Sequence, residues 1–430
     1  MPLSAFPDQI QILFLGSIFL GTLIISRFSI RLGMPAVLGV LLLGLLLNNQ
    51  GLNVSFSDIE SMHTFAVALL IYQAGLKTEL SSIRGFLEYG VLLSIGGVAV
   101  SILVLGIGLF IISSLMTYIG WGSFDNGIPI GLSFLTAACL GSTDASASLS
   151  VMNHLKRAVP PRVSKLLEFE SSVSNLVALI VFTILLEILS NSDHSSTLSN
   201  TFVMASDNFF QKLGAGMVIG LIFGYLTKII ENNLIVDREQ LLIVGMSICF
   251  ICFGVSYTLG GSGYVAVYMT GIFMANMDYR SEQFNHIAIQ DVLSPFNTMT
   301  EISIFLFFGL LVEPLDLVPM IPEGIATALI LMLIARPASV ITFQRLSPFS
   351  IKETALISWS GIRGAVPLAL SFELATHLKY IYNLPETAIT KIAIQSQGVI
   401  VVAIIINLLV QGLTLPLLTR RLNIPPVLKY

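Results

Sequence analysis

Apolar residues in this chain come in long blocks separated by short polar punctuation, with little of the polar face that marks a half-exposed helix. Read by length and punctuation, there are thirteen blocks, at about 10–31, 35–49, 62–76, 87–114, 128–153, 163–190, 209–230, 239–260, 262–277, 292–312, 323–345, 352–376 and 388–419. A helix needs about 20 apolar residues to cross a bilayer. Most blocks reach that length. The second, third and ninth fall short of it, and the second and ninth are expected to tilt little or to pack inside a bundle. The pattern predicts an all-α integral membrane protein of thirteen transmembrane helices, forming one domain over residues 1–430.

Two blocks are interrupted. The fifth contains Gly141-Ser-Thr-Asp-Ala-Ser146 and the twelfth contains Ser360-Gly-Ile-Arg-Gly-Ala-Val-Pro367. Taking residues 1–190 and 239–420 as two six-helix repeats joined by a linking helix at 209–230, both interruptions fall on the fifth element of their repeat. The extra linking span gives the repeats opposite orientations. Paired interruptions in inverted repeats point to a transporter with a midplane site on crossed, broken helices. The competing reading is that Gly and Ser there only allow close helix packing. A broken span leaves helix ends in the membrane interior, where their partial charges need compensation. Asp144 and Arg363 have the right signs, so Asp144 has two readings: ion ligand, or neutraliser of a helix end.

Composition narrows the function classes. The hydrophobic fraction is 55% and the charged fraction 11%, with a mean hydropathy of +0.88. A soluble domain carries roughly a quarter charged residues. This excludes a sizeable soluble domain and makes the lipid bilayer the medium; no nucleic acid is expected as a partner. Sixteen of the 21 Lys and Arg fall in loops on the side of the C-terminus, against Lys212, Lys379 and Lys391 on the other. Excess Lys and Arg marks the cytoplasmic side, so the N-terminus is expected outside and the C-terminus in the cytoplasm, in the cell (inner) membrane. The first residues lack the basic stretch of a cleavable signal. Cys139, Cys249 and Cys252 lie in apolar blocks and read as packing residues. His63, His154, His194, His286 and His377 show no metal-ligand spacing, and no cofactor is expected.

Charge inside a span is costly and marks function by default. Glu170, Ser171, Ser174 and Asn175 share one face of the sixth block, as i,i+4 pairs. A buried Glu needs a partner, and Arg336 in the eleventh block is the available cation; the pair reads as structural. Glu168 is placed nearer the interface, beside Lys165. Glu301 sits in the tenth block, near its middle or nearer the cytoplasmic entrance. Gln395, Gln397, Asn407 and Gln411 suit hydrogen bonds between helices.

At these residues the chain resembles the NhaP-type monovalent cation:proton antiporters. The resemblance rests on Gly141–Ser146, Phe169-Glu-Ser171, Ala335-Arg-Pro337 and Trp359–Pro367, supported by Leu70–Leu76, Gly263–Gly271 and Phe308–Val312, all in family order. It implies a thirteen-helix antiporter fold, a homodimer, and exchange of Na+ or another alkali cation for H+ by alternating access. It implies cation binding at Thr143, Asp144 and Ser171, a structural Glu170–Arg336 pair, and Arg363 on the second broken helix. With the aligned Ser174 and Asn175, the expected ion-binding set is Thr143, Asp144, Ser171, Ser174 and Asn175, with Asp144, Ser171 and Asn175 as ligands of the transported cation.

One departure stands out. The family's helix six reads Glu-Ser-x-x-Asn-Asp, and its last Asp takes cation or proton in turn. Here Ser174 and Asn175 occupy the Asn and Asp positions. A carboxamide offers an oxygen to a cation but does not titrate near neutral pH. The alternative reading is therefore a transporter of the same fold with altered coupling, a cation uniporter or a carrier of an anion or neutral substrate. A membrane enzyme such as an intramembrane protease needs a paired Asp/Asp or Ser/His set, which the blocks lack. A non-transporting receptor fits poorly with such short loops.

Overall fold

The computed structural model describes residues 8–32, 34–48, 56–124, 127–154, 159–190, 198–234, 237, 239–279, 286–381 and 385–422. Outside these lie His194 and the loop cations Lys156, Arg157, Arg238, Arg280 and Lys429, as do the side chains of His63, His154, His286 and Lys379.

Among the described residues the elements are all helical. In chain order they are α1 (Asp8–Arg31), α2 (Ala36–Asn48), α3 (Phe56–Leu76), α4 (Leu80–Tyr118), α5 (Ile130–Cys139), α6 (Ala145–His154), α7 (Pro161–Ser190), α8 (Leu198–Leu234), α9 (Gln240–Thr258), α10 (Gly263–Ala275), α11 (His286–Leu311), α12 (Pro314–Thr342), α13 (Ile351–Trp359), α14 (Ala365–Ile381) and α15 (Glu386–Arg421). Seven are long and apolar enough to cross a membrane. The fifth and twelfth apolar blocks each appear as two half-length helices, α5 with α6 and α13 with α14. Counted as single interrupted spans, these pairs turn fifteen helices into the thirteen segments of the hydrophobic pattern. Starts and stops follow local chemistry. Pro129 and Pro385 precede α5 and α15, and Ser350 with Glu353 forms a reciprocal capping box at the start of α13.

The short α2 and α10, 13 residues each, are held by backbone-to-backbone contact. A Cβ on Gly44 of α2 would lie 2.4 Å from the Leu306 carbonyl oxygen and 2.8 Å from the Gly309 Cα of α11. A Cβ on Gly75 of α3 would lie 2.4 Å from the Tyr268 carbonyl oxygen and 3.0 Å from the Gly271 Cα of α10. Small residues at helix crossings are the usual glue in lipid, where no hydrophobic force drives helices together. Two longer helices carry a widened turn: α4 is π-helical over Leu93–Gly97 and α12 over Leu331–Ala335. These two helices pack on each other, and Arg336 follows the second widened turn directly.

Gly75→Leu should drive a side chain into the α10 backbone and lower the thermal midpoint of detergent-purified protein, since overpacking costs ~1–3 kcal/mol. Gly214→Leu, with no heavy atom within 4 Å of the added Cβ, is the control and should melt as wild type does.

Candidate functional site at the crossing of two broken helices

Residues 140–144 and 360–364 leave the helical conformation and cross. The backbones touch: Asp144 N–H donates to the Ile362 carbonyl at 2.7 Å, and the Ser148 hydroxyl donates to the Ser360 carbonyl at 2.7 Å. Each helix end near the crossing meets a charge of the right sign. Arg363, 1% exposed, donates through Nη1 to the carbonyls of Gly141, at 3.0 Å, and of Ser142, just past α5. Its own N–H is held by Asn407 Oδ1 of α15 at 3.0 Å. Asp144 caps α6: Oδ1 accepts from the Ser146 N–H at 2.8 Å, the Ser146 hydroxyl at 2.5 Å and the Ala147 N–H at 3.2 Å. The other oxygen lies against Gly364, immediately before α14; a Cβ there would sit 2.1 Å from Asp144 Oδ2. Glycine at 364 is thus what lets one carboxylate stand between two helix N-termini.

α7 braces the first break. Ser171 Oγ donates to the Thr143 carbonyl at 2.9 Å and accepts from the Ala145 N–H at 3.2 Å. Ser174 Oγ accepts from the Thr143 N–H at 3.3 Å and lies 3.2 Å from Thr143 Oγ1. Beside these serines, Glu170 and Arg336 form a two-pronged buried pair, with Nη1 to Oε1 at 2.5 Å and Nη2 to Oε2 at 2.9 Å. Arg336 also donates to the Ile357 carbonyl of α13 at 3.2 Å. The sequence pattern assigns Arg336 to Glu170 alone; its second task, on a helix carbonyl, follows from Gly361, where a Cβ would lie 2.7 Å from Arg336 Nε.

A cavity of about 400 Å3 reaches Asp144. Thr143, Ser171 and Asn175 line it on the side of the broken helix, and Gln73 of α3 with Asn297 and Glu301 of α11 line the facing wall. Lys77, Glu79, Lys165 and Glu168 line it as well, with Lys165 and Glu168 paired at 3.3 Å. Of the five residues expected to bind the ion, Thr143, Asp144, Ser171 and Asn175 therefore share one space, with Glu301 in the same cavity. Ser174 is fully buried and absent from that wall; its hydroxyl is committed to Thr143. Glu170, Arg336 and Arg363 stand behind the wall as supports. Asn297 has no place in the sequence reading, and Gln73 enters it only within the supporting stretch Leu70–Leu76, without a role of its own. Asn297 stands one turn before Glu301 on the same helix face, which is the spacing that could have drawn attention to it.

Other expectations from the sequence fall elsewhere. Gln395 donates to the Ser123 carbonyl at 2.5 Å and Gln397 to the Ser371 carbonyl at 3.3 Å, both between segments. Cys252 Sγ lies 3.4 Å from Thr270 Oγ1. Among the described residues no group of three or more His, Cys, Asp or Glu is placed to hold a resident metal ion.

The sequence profile of the family described as sodium/hydrogen exchanger, transmembrane, matches residues 15–421. The chain is 32% identical over 356 residues to the K(+)/H(+) antiporter NhaP2 of Shewanella baltica (strain OS223), covering 81% of this chain and 58% of the relative. It is 27% identical over 368 residues to the K(+)/H(+) antiporter NhaP of Alkalimonas amylolytica, covering 84% and 60%. It thus spans somewhat under two thirds of the length of these relatives. The fold is that of the sodium proton antiporter MjNhaP1 from Methanocaldococcus jannaschii, solved at pH 8, with a TM-score of 0.77 at 19% identity over 96% of this chain and 98% of that one.

The ion pair has a measurable signature. Removing one partner of a buried pair costs about 3–5 kcal/mol because it strands the other charge. Glu170→Gln and Arg336→Met should each lower the thermal midpoint strongly, and the double variant should lose much less than the sum of the two. A double-mutant cycle on detergent-purified protein reads the coupling.

Proposed function

The chain belongs to the sodium/hydrogen exchanger family, and from that premise we propose that it is a secondary transporter exchanging a monovalent cation for a proton across a bilayer by alternating access. One observation carries the reading: a carboxylate, Asp144, stands where two broken helices cross, inside a cavity lined by hydroxyl and amide oxygens. Broken-helix ends and unwound carbonyls are the groups that hold alkali cations in this architecture. Asp144 Oδ1 is spent on α6, while Oδ2, Thr143, Ser171 and Asn175 offer oxygens toward the cavity. A proton or a cation neutralises the carboxylate, but both cannot occupy it at once. Competition for one charge is what couples the two fluxes.

Residues 1–190 and 239–420 are read as inverted repeats linked by α8. Three correspondences support this. The breaks fall on matching elements, the π-helical turns fall on matching elements, and the glycine-built pairs α2–α11 and α3–α10 exchange under the same operation. The glycine-locked pairs read as the static bundle, and the broken helices with α7 as the moving one. The basic ends at Lys77 and Lys165 favour a cytoplasmic mouth for the cavity, hence an inward-facing state with the N-terminus outside. A homodimer in the cell membrane is the assembly proposed. The relatives that are 32% and 27% identical are named for K+, which puts K+ beside the Na+ implied by the sequence resemblance. Loss of the titrating group at 175 supports a second reading, cation flux without a proton.

The test is proteoliposomes holding a pH dye, with a K+ or Na+ gradient imposed across the membrane. Each gradient should be matched by proton movement in the opposite direction. Cation flux without proton movement would establish the second reading and remove the first. Asp144→Asn keeps a side chain that caps helices about as well as Asp, so the fold and thermal midpoint should hold while exchange is abolished. Wild-type exchange in that variant removes Asp144 from the mechanism.

A further inference from the structure

We propose that Glu301, set beside Asn297 on α11, supplies the second negative charge of the exchange site from the wall opposite Asp144, in place of the carboxylate that position 175 lacks. The inference rests on the antiport reading above. Four observations carry it.

Glu301 lies just past the midpoint of α11 and lines the same cavity as Asp144 and Asn175. It makes no hydrogen bond or ion pair among the described residues, and Lys77 on the same wall is not in ion-pair contact with it. A carboxylate in the middle of an apolar helix, with the Lys77 charge nearby but no contact to it, is held there at a cost that a transported ion offsets. Asn297, one turn earlier and 5% exposed, also lines the cavity, and neither its Oδ1 nor its Nδ2 has a partner among the described residues. Buried amides are almost always satisfied, so an unsatisfied one facing a cavity marks a place for a ligand or its water. Asn175, across the cavity, has no hydrogen bond among the described residues either, so it is available to the same ligand.

Together these groups make two half-sites. The moving side offers Asp144, Thr143 and Asn175; the facing wall offers Glu301 and Asn297. The remaining charges on the cavity wall are Lys77, Glu79, Lys165 and Glu168, and Lys165 with Glu168 is paired. A site with two carboxylates holds one monovalent cation with one net negative charge left, and holds one proton with the same net charge. One cation in for one proton out then leaves the site's charge unchanged. Because the two carboxylates ride on different bundles, moving one bundle past the other separates them, and the site is complete only while the two bundles sit as they do here.

The experiment is K+- and Na+-driven proton movement in proteoliposomes, with cation-induced thermal stabilisation of the purified protein as a second readout. Glu301→Gln should reduce exchange and weaken the apparent cation affinity by at least about tenfold, the scale of losing one charged contact. Adding Asn175→Asp to Glu301→Gln should restore both readouts, because the charge returns to the opposite wall. A purely structural role for Glu301 predicts no such rescue. If Glu301→Gln exchanges like the wild type, or the folded double variant stays as poor as Glu301→Gln, the proposal is overturned. A wild type that shows no exchange sinks the antiport reading instead, and the stabilisation assay still decides whether Glu301 binds the cation. Should Glu301→Gln fail to purify, Asn297→Ala takes its place: weakened cation stabilisation supports the half-site, and unchanged stabilisation overturns it.

Discussion

Everything in this molecule answers to one electrostatic constraint: helices that stop in the middle of a low-dielectric slab. A helix end leaves up to four backbone groups without partners, and in hydrocarbon no water replaces them. The crossing answers with side chains of fixed sign. Arg363 collects the carbonyls past α5, Asp144 collects the N–H groups of α6, and Arg336 reaches a carbonyl of α13. Each solution demands another. Arg336 needs Glu170 to balance it, Gly361 and Gly364 must lack side chains, and Asn407 must hold the Arg363 backbone. The site is the remainder of this arrangement, the one carboxylate oxygen and the few hydroxyls that face the cavity.

The same arithmetic of charge favours a cation as the cargo on the exchange reading proposed above. Both arginines near the crossing are turned away from the cavity, one onto carbonyls and one onto Glu170, so neither guanidinium offsets the Asp144 and Glu301 carboxylates that line it. Losing the charge at 175 does not make the space basic, because neither guanidinium lines it. An anion entering past Lys77 and Lys165 would still meet Asp144 and Glu301 with no guanidinium beside them.

Much of this was legible in the sequence because membrane burial is written plainly in composition. The thirteen apolar blocks, the short α2 and α10, and the two breaks all follow from length and punctuation. The pairing of Glu170 with Arg336 followed from scarcity, since few charges were available inside spans. What the sequence concealed was depth and direction. Ser174 shares a helical face with Asn175 in projection, yet Thr143 draws its hydroxyl out of the cavity. The pattern locates Glu301 only to within half a helix, and Asn297 carries no charge that would mark it inside an apolar block. Helix α8 begins at Leu198 rather than near 209, since its first turns are polar and hydropathy does not register them.

The widened turns at Leu93–Gly97 and Leu331–Ala335 have a meaning in the history of the gene. A π-helical turn houses one residue more than an α-turn while the helix beyond it keeps its facing. Each is therefore a point where a codon can be gained or lost without rotating the segment that follows, and in α12 that segment begins with Arg336. Had the extra residue been wound into regular α-helix, the guanidinium would have swung by about 100° away from Glu170.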